Sequence, residues 1–244
     1  MKKNPFFCLF ILFGLAISSI SSVNAEPIYH EVTYPEGEGP FPGLLALHSS
    51  GGFKSVNALI SKYPKSGYAV YAPDFFRKHG ITKKTRFDTW TTFRTQIEDD
   101  LLEIIQLMKR DPKVDPNNIF AVGFSNGGYW ASFLAAKRHV NAGSSHYGVW
   151  KFPKWNGYPA KYFDSNSNPL LAIHGDQDSI QKPKRVFPEL NNLEKKVPSF
   201  QKYIFANIGH SWDCTVCKKD GYSSNFSDKA FNLTLDFFEK YRSK

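Results

Sequence analysis

The hydrophobic and polar positions of this chain follow two rhythms. Short apolar runs recur at "GLLALHSS" (43–50), "YAVYAPDFF" (68–76), "IFAVGFS" (119–125), "AGSSHYG" (142–148), "PLLAIHGDQD" (169–178) and "SFQKYIFANIGH" (199–210). Near-continuous apolar runs of this length, closed by turn residues, predict strands buried on both faces. Between them the period lengthens. Phe93, Ile97, Leu101, Ile105 and Met108 form one apolar face, with Asp99, Asp100 and Glu103 off the stripe, which predicts a helix. Further helices are expected over 55–67 with Ser55 as cap, over 127–139, and over "RVFPELNNLEKK", where Pro188 limits the length or marks the start. A last helix is expected from Ser227 as cap, with Phe231, Leu235, Phe238 and Tyr241 as its stripe.

Strands alternating with helices imply βαβ units. The expected fold class is therefore α/β: a doubly wound, mostly parallel sheet with helices on both faces. No internal repeat and no linker divides 26–244, which reads as one domain, a size a single α/β core supports. The aromatic, Pro- and Ser-rich stretch 149–168 reads as an excursion above the sheet edge, a candidate lid.

The first 25 residues follow neither rhythm. Lys2 and Lys3 precede an apolar run from Phe6 to Ile17, then small polar residues ending in Val23-Asn24-Ala25. This is the pattern of a cleaved signal peptide, and the apolar run is short for a membrane span. A periplasmic or secreted location is expected, with no stable membrane span after cleavage. Losing Lys2 and Lys3 lowers the formal charge of +9 by two. The remaining basic residues are scattered and read as a solvated surface rather than a nucleic-acid site. Export also bears on the "CTVC" pair. In an oxidising compartment a short-loop disulfide between Cys214 and Cys217 is expected. Free thiols and a redox or metal role are the alternatives. A redox pair lacks a thioredoxin-like context, and a zinc site lacks two further ligands nearby.

The chemistry lies in "AVGFSNGGYW". Gly123-Phe124-Ser125-Asn126-Gly127 sits where a strand hands over to a helix. A G-x-S-x-G turn there puts the serine hydroxyl at the carboxyl edge of the sheet, and the glycines make room for crowded neighbours. Serine alone is a poor nucleophile and needs a base, which in turn needs an orienting acid. The chain supplies them in the order Ser, Asp, His, each just past a strand: Asp176 or Asp178 after "AIHG", and His210 after "FANIG". The Asn126 backbone N–H can face a developing oxyanion, and Ser49, Ser50 or Gly51 in "LHSSGGF" can supply a second donor. His48 and His174 read as structural histidines bonded to loop backbone. His146 is a candidate for lining the site.

These residues bring a family into view. "LHSSGG", "YAVYAPDFFRK", "DPNNIFAVGFSNGG", "HYG", "LLAIHGDQD" and "IGHSW" resemble the α/β-hydrolase superfamily and, within it, the dienelactone hydrolase-like family, over residues 43–241. The resemblance implies the α/β-hydrolase fold, Asp178 as the acid, and Asn126 and Ser50 N–H groups as the oxyanion hole. Serine stands at 125 where dienelactone hydrolases carry cysteine, and Ser49 stands where they carry a glutamate. Arg77 lies near one position of the family's substrate-binding arginines. "CTVC" looks like an insertion.

The expected activity is a serine hydrolase for a carboxylic ester or lactone, a small-molecule substrate. Ser125, His210 and Asp178 carry the chemistry, no metal or organic cofactor is required, and the protein is a monomer or dimer. The alternatives are a peptidase or amidase on the same scaffold, and a non-catalytic binding protein that keeps the fold.

Overall fold

The computed structural model describes residues 27–55, 57–214 and 222–244. The leader and Cys217 lie outside these residues. Among them, seven strands form one sheet: β1 (His30–Thr33), β2 (Phe41–Leu47), β3 (Ala69–Pro73), β4 (Val114–Phe124), β5 (Ala142–His146), β6 (Leu170–Gly175) and β7 (Phe200–Phe205). Their spatial order is β1-β3-β2-β4-β5-β6-β7, and every pairing is parallel except β1 with β3. The expected α/β class and mostly parallel sheet are observed. β1 has no counterpart in the sequence reading. It is a four-residue edge strand with alternately half-buried and exposed positions, so it lacks the apolar run that marks the others.

Alternation along the strands builds two cores. Leu45, Leu47, Ala121, Leu170 and Ala172 face one side, where helices α2 (Arg94–Arg110), α3 (Asn126–Ala136) and α4 (Pro183–Lys196) pack. Leu44, Ala46, Phe120, Val122, Leu171 and Ile173 face the other, under α5 (Ser224–Lys240). Successive strand side chains point to opposite faces, so a run apolar at every position serves both cores. The helix α3 is buried along its whole length. No helix among the described residues is long and apolar enough to cross a membrane.

Several local expectations are corrected. Over 55–67 there is no continuous helix, only α1 (Asn57–Ile60) between two 3₁₀ turns, and Tyr63-Pro64 begins the second. Ser55 does not cap; its hydroxyl pairs with that of Ser49 at 2.8 Å. Pro188 neither starts nor stops α4. Pro183 occupies the start, and Pro188 lies inside, where the carbonyl it deprives of a helical donor belongs to exposed Lys184. In α5, Ser227 lies within the helix, and the buried face runs through Ser227, Ala230, Thr234, Phe237 and Phe238. Phe231, Leu235 and Tyr241 sit beside that face, half-buried. Asp100, expected off the apolar stripe of α2, is buried and held by Lys78 at 2.6 Å and His79 at 2.6 Å.

The strand ends lie level. Leu47 is opposite Gly123, Phe124 opposite His146, and Gly175 opposite Phe205. Because β2 to β7 run parallel, the loops after β2, β4, β5, β6 and β7 all emerge at one edge, where open α/β sheets place their sites.

Candidate active site

At that edge the chain turns from β4 into α3 through Ser125, whose backbone has φ 51° and ψ −104°. A non-glycine residue in this region costs on the order of 1–3 kcal/mol and persists only where its surroundings over-determine it. They do so here. The Ser125 N–H donates to His146 O at 3.0 Å, and its carbonyl accepts from Val149 N at 3.1 Å. The two elbow glycines have no alternative. A Cβ at Gly123 would stand 2.0 Å from Gly127 O, and one at Gly127 would stand 2.0 Å from Leu47 O. The close approach at Gly127 also brings its N–H to His48 O at 3.0 Å. The elbow is thus tied to the ends of both β2 and β5.

The histidine and the acid arrive from β7 and β6. His210 Nε2 lies 2.9 Å from Ser125 Oγ, and His210 Nδ1 lies 2.7 Å from Asp178 Oδ2. A carboxylate only accepts, so the tautomer that satisfies both contacts has its proton on Nδ1 and takes the serine O–H on Nε2. All three side chains are buried or nearly so, with Ser125 8% exposed, His210 3% and Asp178 1%. Asp178 Oδ1 also accepts from Ile180 N at 2.8 Å and Gln181 N at 2.7 Å. Burial alone would raise its carboxyl; the hydrogen bond and charge of His210, then His174 and the Gln181 N–H, outweigh this and hold it below the ordinary carboxylate value.

Of the two candidate acids, Asp176 is turned to the surface and caps Asn207 N at 2.7 Å, whereas Asp178 meets His210. His48 Nδ1 lies 2.8 Å from Ser49 O, as expected of a structural histidine. His174 does more than bind loop backbone. Its Nε2 lies 2.9 Å from Gln181 O and 3.3 Å from Asp178 Oδ2, buttressing the acid, and burial lowers its pKa. His146 does not line the site: its ring points to α5, with Nε2 2.9 Å from Thr234 Oγ1.

Asn126 opens α3, so its N–H has no carbonyl partner within the helix. Its side chain is buried and donates to Thr89 Oγ1 at 3.2 Å. Ser50 lies in the turn after β2 and lines a cavity of about 230 Å³ together with Asp74, Arg77 and Lys83. Stretch 149–168 packs over α3 and the 86–90 turn: Trp155 meets Tyr129 with ring centroids 5.8 Å apart, and Tyr162 meets Phe133 at 4.7 Å. Cys214 is disulfide-bonded.

The sequence reading missed Gln181, whose carbonyl and N–H brace His174 and Asp178 and whose side chain accepts from Trp150 N at 2.9 Å. It also missed Tyr147, whose ring meets that of His210, and the Trp212 and Asp213 that hold Tyr147. Nothing in the spacing of Tyr147 announced it, because it reaches His210 from another strand's loop.

Known proteins give the same picture. The family model of the dienelactone hydrolase family matches residues 30–242. Carboxymethylenebutenolidase of Rhodococcus opacus is 26% identical over 75% of this chain and 74% of its own length. A protein of Bacillus subtilis named uncharacterized peptidase YuxL is 24% identical over 72% of this chain, which spans only 32% of that relative's length. Among solved structures, a putative dienelactone hydrolase from Klebsiella pneumoniae superposes with TM-score 0.73 at 18% identity, covering 87% of this chain and 92% of its own. The strand order, the serine elbow at the carboxyl edge and the match over nearly all of the described residues place this chain in the dienelactone hydrolase family.

Proposed function

We propose that the protein is a serine hydrolase that cleaves a small carboxylic ester or lactone through an acyl-enzyme on Ser125. The observation that carries this reading is the unbroken hydrogen-bond chain from Ser125 Oγ through His210 to Asp178. Ser125 Oγ attacks the carbonyl carbon as its proton passes to His210 Nε2. The imidazolium so formed is stabilised by Asp178, whose ionised state is favoured in place. The oxyanion falls between the N–H groups of Asn126 and Ser50, each worth about 3–4 kcal/mol in the transition state. His210 then returns the proton to the leaving oxygen, and water repeats the sequence in reverse to free the acid.

Ser125→Ala tests the reading. It should abolish hydrolysis of short acyl p-nitrophenyl esters, a loss on the order of 10⁴-fold or more. Wild-type turnover by the variant would sink it. A peptidase or amidase activity is the second reading, supported by the similarity to the Bacillus subtilis protein. Aminoacyl p-nitroanilides offered beside the esters separate the two. A non-catalytic binding protein would leave Ser125 unlabelled by a fluorophosphonate probe. The leader pattern supports a periplasmic or secreted location, and an N-terminus starting at residue 26 on the exported protein would establish cleavage.

A further inference from the structure

The segment His146–Val149 touches both halves of the catalytic pair. Its main chain grips the elbow, through Ser125 N to His146 O at 3.0 Å and Val149 N to Ser125 O at 3.1 Å. Its side chain at Tyr147 reaches the other half. The Tyr147 ring meets the His210 ring edge-on, with centroids 4.7 Å apart, and the Trp212 ring at 4.7 Å. Tyr147, Trp212 and Asp213 are fully or almost fully buried. The Tyr147 hydroxyl donates to Asp213 Oδ1, and its N–H donates to Ile173 O at 2.8 Å. Its backbone is left-handed at φ 38°, a conformation costly for an aromatic residue unless its contacts hold it there. The His210 loop has its own left-handed residues, Asn207 and Ser211. A loop of that kind needs an external brace.

We propose that Tyr147 is a positioning residue: its ring seats the His210 imidazole over Ser125, and its hydrogen bond to Asp213 locks the ring and the His210 loop to the same β5 segment that holds the elbow. This rests on the serine hydrolase reading above. The chemistry is mechanical. Nucleophile and base come from strands β4 and β7, which are not neighbours, and a shift of one against the other lengthens the 2.9 Å contact that proton transfer needs. Asp213 is a fitting anchor, since its other oxygen lies 3.5 Å from His146 Nδ1, beyond good hydrogen-bond range. Burial first, and then the Asp213 charge, push the Tyr147 phenol well above its ordinary pKa, so it stays a donor at all working pH values.

The test compares Tyr147→Phe with Asp213→Asn, each counted by fluorophosphonate titration of Ser125 so that unfolded molecules drop out. Tyr147→Phe should lower kcat about tenfold with KM unchanged, as expected for a displacement of a fraction of an ångström. Asp213→Asn keeps an acceptor for the phenol, so kcat should stay within about twofold of wild type. A second readout needs no turnover: the imidazole Nδ1–H proton resonance of His210 should shift or broaden in Tyr147→Phe and persist in Asp213→Asn. A Tyr147→Phe enzyme with wild-type kcat per titrated site and an unchanged resonance overturns the proposal, whatever its melting temperature. So does a fall in Asp213→Asn with none in Tyr147→Phe, which would make the effect one of the Asp213 charge and not of the phenol hydrogen bond. A wild-type protein that neither hydrolyses esters nor is labelled refutes the hydrolase reading, and the resonance then still decides the role of Tyr147.

Discussion

Replacing Gly127 with alanine adds one carbon atom where α3 crosses the end of β2. The new Cβ would stand 2.0 Å from Leu47 O and 2.8 Å from His48 O, and both are backbone atoms that cannot rotate away. Real contacts of this kind begin near 3.0 Å, so helix and strand must part by at least about 1 Å. Overpacking of this order costs about 1–3 kcal/mol. The same movement stretches the Gly127 N–H to His48 O bond, worth about 1 kcal/mol. A loss of roughly 2–4 kcal/mol lowers the melting temperature of a domain of this size by roughly 5–15 °C. The functional effect should be larger still. Ser125 lies two residues before the clash and Ser50 three after Leu47, so a 1 Å separation there costs on the order of 10²-fold in kcat/KM. Thermal melting followed by circular dichroism and ester hydrolysis well below the midpoint measure the two effects. Gly80→Ala is the control, because its φ is 60° but nothing lies within 4 Å of the added carbon. It should cost only about 1–2 kcal/mol, from backbone strain, and leave kcat alone. A Gly127→Ala protein that melts and turns over like wild type would refute the argument from the crossing.

Other outcomes follow from the same geometry. Asp178→Asn should leave the fold in place yet lower kcat on the order of 10⁴-fold, because the amide favours the wrong histidine tautomer; steady-state kinetics with a short ester measure it, and a loss below tenfold would remove Asp178 from the role. Because the folded Asp178 carboxyl is held below its ordinary value, its contribution to stability is complete above the unfolded pKa and fades as pH falls through the folded one. Urea midpoints should therefore drop in acid by less in Asp178→Asn than in wild type, and parallel curves would contradict the lowered Asp178 carboxyl. Cys214→Ser should lower the melting temperature under oxidising conditions and have little effect beside a reduced wild type, since a closed loop chiefly constrains the unfolded chain. Equal melting of oxidised wild type and variant would remove the disulfide from the stability of the fold. Asp100→Ala should destabilise by about 2 kcal/mol, given that its buried carboxylate holds Lys78 and His79, and chemical denaturation checks this.

Much of this protein was legible in its sequence because local rules carried it. Near-continuous apolar runs dictate strands buried on both faces, as in β2, β3, β6 and the second half of β4, while β5 and β7 carry polar residues within shorter apolar runs. Gly123 and Gly127 around Ser125 encode the elbow, since no side chain fits either crossing. Ser125, Asp178 and His210 each follow a parallel strand, so the sheet alone brings them to one edge. The tertiary structure decided what depends on neighbours distant in the chain. It turned Asp178 rather than Asp176 toward His210, gave His174 to the acid, aimed His146 at Thr234 and buried Asp100. It also brought Tyr147 against His210 and joined it to Trp212 and Asp213. Periodicity reports which side of an element is apolar. It carries no information on which polar groups meet across the sheet, because those contacts are set by register and by loop conformations such as the left-handed backbone of Tyr147 and Ser211.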